Sequence, residues 1–202
     1  DMESRPHNLE HRIKALVTGT IFFADDFLDV ASPDAIRQTL LRLTKSGVII
    51  RVAQGIYCYP EIDETLGLGV IYPTDIQIAE ALAERSHSKI VPTGDYALNV
   101  LGLSTQVPLN SVFLTNGKSR RISVSGNRSI TFKNTAPRNL AFTNRLAMLV
   151  NSALKSIKNV NVTTKQTDHI YYLLRQEKKE DVLVDLKLMP VWIRKIVQNA
   201  YE

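Results

Sequence analysis

Residues 32–60 constrain this chain more than any other stretch, because they specify a helix and a hairpin back to back. Ser32-Pro33 is a helix start: a hydroxyl N-cap, then proline at the first helical position, where no amide donor is required. Asp34 in the first turn suits the positive end of the helix dipole. Ile36, Leu40 and Leu43 fall at i, i+4 and i+7 and form one apolar stripe. Gly47 then supplies a left-handed stop. Two strand-like runs follow, Val48-Ile49-Ile50-Arg51-Val52 and Ile56-Tyr57-Cys58-Tyr59, joined through Ala53-Gln54-Gly55 and ended by Pro60.

Upstream, Pro6 to Leu16 reads as a helix and Ile21-Phe22-Phe23 as a short strand between Gly19 and Asp25. Ala24 to Val30 reads as a short helix that buries Phe27 and Leu28. This order predicts a winged helix-turn-helix DNA-binding domain over residues 1–60. The second helix of such a unit enters the major groove. Its outward face would carry Asp34, Gln38, Arg42 and Lys45, with Arg37 beside them and Ser32 at the cap. Gln and Arg suit bidentate contacts to adenine and guanine edges. Arg42 and Lys45 lie further along and would meet phosphates. Arg51 and Gln54, on the wing, would reach the backbone or minor groove. The alternative is a solvated face that docks a protein, since residues 1–60 hold seven basic and seven acidic side chains and no dense basic patch.

The charge is unevenly spread. Residues 61–110 hold seven acidic and two basic side chains, whereas residues 111–165 hold ten basic ones and no Asp or Glu. So one-sided a stretch needs an anionic partner or solvent to face. Acidic residues 61–72, with Gly67 and Gly69, read as a linker, and residues 73–202 as a second domain. Thr74 and Gln77 form a capping box there. Val112–Thr115, Arg121–Val124 and Ser129–Lys133 alternate as strands, with turns at Asn116-Gly117 and Gly126-Asn127. Ile90-Val91-Pro92 reads as a short strand or extended link and Asp95 to Leu101 as a short helix, and the chain from about Asn139 onward is helical. The expected fold class is therefore α+β: an N-terminal winged helix-turn-helix, then an α+β domain with a small antiparallel sheet and several helices. Lys118, Arg120, Arg121, Arg128, Lys133 and Arg138 lie in or beside the expected meander. They suit either phosphate neutralisation, which makes binding salt-sensitive, or docking of the acidic 61–110 segment.

Catalytic signals are weak. Gly67-x-Gly69 lacks the third glycine and the preceding strand of a dinucleotide fingerprint, and Asn116-Gly-Lys-Ser119 lacks the upstream glycine of a phosphate loop. Asp168-His169 has no nucleophile in view, and the expected strands hold none of the carboxylates a metal-dependent nuclease needs. Cys58, the only cysteine, reads as a small buried hydrophobe. His7, His11, His87 and His169 make no metal-ligand cluster. No enzyme activity, metal or cofactor is expected. The lone thiol, the lack of a visible signal peptide and the absence of a run of about 18 apolar residues suit a cytoplasmic chain with no membrane partner.

The run Ser32-Pro33-Asp34-Ala35-Ile36, Leu40, Arg42-Leu43, Lys45, Gly47-Val48-Ile49, Arg51-Val52-Ala53, Gly55-Ile56-Tyr57 resembles the N-terminal domain of AbiEi-type antitoxins of type IV toxin–antitoxin systems. Three second-domain runs strengthen the resemblance: Pro92 through Pro108, Phe113-Leu114-Thr115-Asn116-Gly117, and Thr135 through Ala141. It covers nearly the whole chain and is similar to a largely uncharacterised bacterial branch. The resemblance implies a repressor of the chain's own operon that binds double-stranded promoter DNA, with a dimer on DNA allowed. It also implies an antitoxin domain acting against a nucleotidyltransferase-like toxin, without a tight complex being required.

Overall fold

The structure, a computed structural model, describes residues 4–202, with side chains from Asn8 onward. Its packing divides the chain into two compact units, residues up to Leu82 together with Ile122–Arg128, and Ala83–Arg121 together with Ser129–Glu202.

The first unit opens with helix α1 (Ser4–Lys14), strand β1 (Ile21–Phe23) and a 3-10 turn at Ala24–Phe27. Helix α2 (Pro33–Lys45) follows, then β2 (Ile50–Ala53) and β3 (Ile56–Cys58). The Ser32 hydroxyl accepts from Ala35 N at 3.4 Å, and Gly47, at φ +77°, releases the chain from the helix. Leu9 and Ile13 of α1 meet Ile36, Leu40 and Leu43 of α2 in a core with Phe22, Phe27 and Ile49. Burying each of these large side chains contributes about 1.5–3 kcal/mol against chain entropy, so the stripe dictates which face of α2 looks inward. β3 lies between β1 and β2, antiparallel to both.

Residues 61–72, expected as a linker, instead carry a two-stranded ribbon, β4 (Glu61–Asp63) with β5 (Gly69–Ile71). Helix α3 (Asp75–Arg85) begins on a buried carboxylate, Asp75, which pairs with Arg128.

The second unit contains β6 (Ile90–Pro92), α4 (Gly94–Val100), β7 (Asn110–Thr115), the first two residues of β8 (Arg120–Val124) and all but the first residue of β9 (Arg128–Asn134). Helices α5 (Arg145–Ile157), α6 (Thr164–Leu174), α7 (Lys179–Leu183) and α8 (Val191–Asn199) complete it. Ala147, Val150, Ala153 and Leu154 of α5 are fully buried with Ile170, Leu174, Ile193 and Val197. Buried Asp185 anchors the start of α5 by accepting from Thr143 N at 3.0 Å, Thr143 Oγ1 at 3.0 Å and Asn144 N at 2.7 Å.

The strand order corrects the expected fold class. Seven strands join in the order β1-β3-β2-β8-β9-β7-β6. The sheet is mixed: β7 runs parallel to β9, Asn110 opposite Ser129 through Thr115 opposite Asn134, while β6 and β7 are antiparallel. There is thus no small antiparallel meander in which β8 sits between β7 and β9. Nor does the β2–β3 hairpin stand free as a wing, because Ala53 of β2 pairs with Val124 of β8 and Ser125 N donates to Val52 O at 2.9 Å. The physical reason is the edge of β2. Its backbone groups need partners, and β8 supplies them. Period-2 alternation identifies a strand but not its neighbour, which is why residues 121–124 read as part of a local meander. Among the described residues no helix is long and apolar enough to cross a membrane.

Candidate nucleic-acid interface

The outward face of α2 is set by its buried one. With Ile36, Thr39, Leu40 and Leu43 inside, Arg37, Gln38, Leu41, Arg42 and Lys45 remain exposed on a helix held at both ends. The Arg37 side chain, 77% exposed, reaches Asp34 one turn earlier at 3.1 Å. Arg42 donates to Glu10 of α1 at 2.7 Å, and the other Glu10 oxygen lies 2.7 Å from Lys14 Nζ. Glu10 is consequently lowered from an ordinary 4.5 to about 2, chiefly by the hydrogen bond from Lys14 and then by that from Arg42. The cluster Lys14–Glu10–Arg42 keeps one net positive charge.

Of the remaining residues expected in this unit, Ser32 acts through its cap, and Arg51 and Gln54 are exposed on β2 and its turn. Arg51 Nε bonds the Ala53 carbonyl at 3.4 Å. Glu10 was missed by sequence reasoning: its i,i+4 spacing to Lys14 is a local signal, but it meets Arg42 only where α1 packs on α2. The Asp34–Arg37 pair, by contrast, is legible from i,i+3 spacing.

The six cations of the expected meander do not form one set. Arg128 is held by buried Asp75 and serves the first unit's packing. Lys118 and Arg120 of the second unit share a cavity of about 330 Å³ with Ser86, Ser88, Thr115 and Phe132. The Arg120 guanidinium stands 5.4 Å from the Phe132 ring centroid, a cation–π distance. Ser86 and Ser88 hydroxyls lie 2.7 Å apart on the same wall. Two cations, hydroxyls and an aromatic floor suit a phosphate-bearing group. Arg121 and Lys133 are exposed, and Arg138 donates to the Lys187 carbonyl at 3.4 Å.

Fold and surface together define an α+β protein with a mixed sheet and a cation-bearing helix face. The chain belongs to a family of unknown function, DUF6088, whose model matches residues 8–182. No curated protein matches it.

Proposed function

We propose that this protein binds double-stranded DNA through the outward face of α2, represses its own operon, and is the antitoxin of a toxin–antitoxin pair. The observation that carries the DNA contact is the display of Arg37, Gln38, Arg42 and Lys45 on a helix whose opposite side is locked into a core. A pre-positioned helix face loses little entropy on binding, and these side chains offer both base-edge and phosphate contacts. Arg37 and Arg42 exchange Asp34 and Glu10 for DNA acceptors as the duplex arrives. The resemblance to AbiEi-type antitoxins supports the biological role and names a nucleotidyltransferase-like toxin as the functional partner.

The test is fluorescence anisotropy with the duplex upstream of the gene, at several salt concentrations. Replacing Arg37, Gln38 and Arg42 together by Ala removes contacts worth about 1–3 kcal/mol each, so binding falls at least ten-fold. Unchanged affinity in the triple variant overturns the reading. Co-expression with a neighbouring nucleotidyltransferase gene tests the antitoxin role by growth rescue.

Leu41, 54% exposed in the middle of the same face, favours a second reading in which α2 docks a protein toxin directly. A stoichiometric complex with the toxin and no shift of the upstream duplex distinguishes it.

A further inference from the structure

The β4–β5 ribbon of the first unit is only two strands wide, and such a ribbon is marginal in water unless something packs on it. Its apolar side chains nevertheless face solvent. Ile62 and Val70, opposite each other in the register, are exposed, as is Tyr72 just beyond them. At the tip Leu66 and Leu68 are 76% and 67% exposed. The tip is held in shape all the same. Asp63 Oδ1 accepts from Thr65 N and Leu66 N, each at 2.9 Å, and Gly67, at φ +70°, makes the turn. A shaped turn that keeps two leucines in water marks a contact surface. Glu61, Asp63 and Glu64 stand beside them, and residues 61–72 contain no Lys or Arg. The arm is thus apolar at its end and anionic around it, and its complement is an apolar recess rimmed by cations.

The second unit holds such a recess. In the cavity of about 330 Å³, buried Ala83 and Phe132 supply hydrocarbon and Lys118 and Arg120 supply the charge. Among the described residues no carboxylate lines it. Arg120 is steadied over the Phe132 ring. Cations that suit a phosphate suit a carboxylate equally. Packing ribbon on ribbon would also hide the leucines of two copies, but it would gather three carboxylates from each in one contact, and like charges oppose that.

We propose that the ribbon tip of one copy docks into the Lys118–Arg120 cavity of a second copy of this chain. Leu66 packs on Ala83 and Phe132, and Glu64 meets the cations. The contact is heterologous, with one surface giving and a different one receiving. This inference does not rest on DNA recognition by α2.

Sedimentation velocity of the full chain over a concentration series tests it. The parent self-associates with a midpoint of about 10–100 μM. Raising the salt from about 50 to 300 mM weakens the association roughly five-fold, because the paired charges are screened. Leu66→Asp and Lys118→Glu, both at exposed positions, leave the circular dichroism unchanged, and each variant alone is monomeric. Mixing the two restores association that stops at a dimer, because an intact tip meets an intact cavity only once. A parent that stays monomeric up to about 1 mM overturns the proposal. So does association that salt strengthens, or a mixture that remains monomeric. Self-association untouched by Lys118→Glu also overturns it and points to ribbon-on-ribbon packing instead.

Discussion

Glu10→Gln puts the proposed interface to an unusual test, because it should improve binding by removing a group that touches no DNA. In the free protein Glu10 holds Arg42 at 2.7 Å and Lys14 at 2.7 Å. Let a phosphate of a duplex seated on α2 lie one Debye length, about 8 Å, from that carboxylate. At the dielectric of water, repulsion at this distance is ~0.5 kcal/mol per phosphate. Releasing Arg42 from a solvent-exposed ion pair recovers a further 0.2–1 kcal/mol, roughly. Together these give about 1 kcal/mol, a roughly five-fold tighter complex at low salt. At physiological ionic strength the Debye length is about 8 Å, so most of the gain is screened. Anisotropy titrations at 50 and 300 mM salt read both numbers, and circular dichroism verifies that the variant is folded. An affinity at low salt equal to or weaker than the parent, in a folded variant, refutes the electrostatic reasoning and places the DNA elsewhere. The same group has a pH signature. Because its folded value lies below its ordinary one, the stability it contributes is complete above about 4.5 and is lost as pH falls toward about 2. Glu10→Gln should remove that part of the acid transition.

Four further outcomes follow from the packing. Arg128→Met removes the ion-pair partner that buried Asp75 has in β9 and should cost about 3 kcal/mol in urea unfolding; a loss under about 1 kcal/mol would show that this pair contributes little to the first unit. Leu40→Ala opens the α1–α2 core, where Leu40 is fully buried, and should cost about 2–5 kcal/mol by the same measurement. Asp185→Ala orphans the Thr143 and Asn144 amides, and about 3 kcal/mol of lost stability is expected, with faster hydrogen exchange at the start of α5. Burial pushes the Cys58 thiol above its usual value of 9.0, so less thiolate is present at neutral pH. A thiol reagent should therefore modify Cys58 only on unfolding, and rapid labelling of the native protein would contradict its burial.

Helix α2 was legible because everything that defines it is local: a capping hydroxyl, a proline, an apolar stripe and a glycine stop within sixteen residues, 32–47. Most strands of the seven-stranded sheet were legible for the same reason, through alternation between turn residues, whereas β4 and β5 lie in residues read as a linker. Their partners were not. Ala53 and Val124 pair across a long stretch of sequence, and no periodicity encodes which edge a strand will seek. The charged residues show the same division. Arg37 and Asp34 are neighbours on one helix and could be paired on paper, whereas Glu10–Arg42 and Asp75–Arg128 exist only after packing. Arg128 looked like a phosphate contact because sequence cannot reveal that a carboxylate is buried beside it.

The late arrival of residues 122–128 has a consequence for synthesis. When Leu82 leaves the ribosome, the first unit still lacks the strand that closes β2 and the guanidinium that neutralises Asp75. Until those residues emerge, a nascent chain carries an open strand edge that can pair with a neighbouring chain on the same message. Fragments cut at residue 82 inherit that unfinished edge permanently, and self-association is the behaviour to anticipate from them.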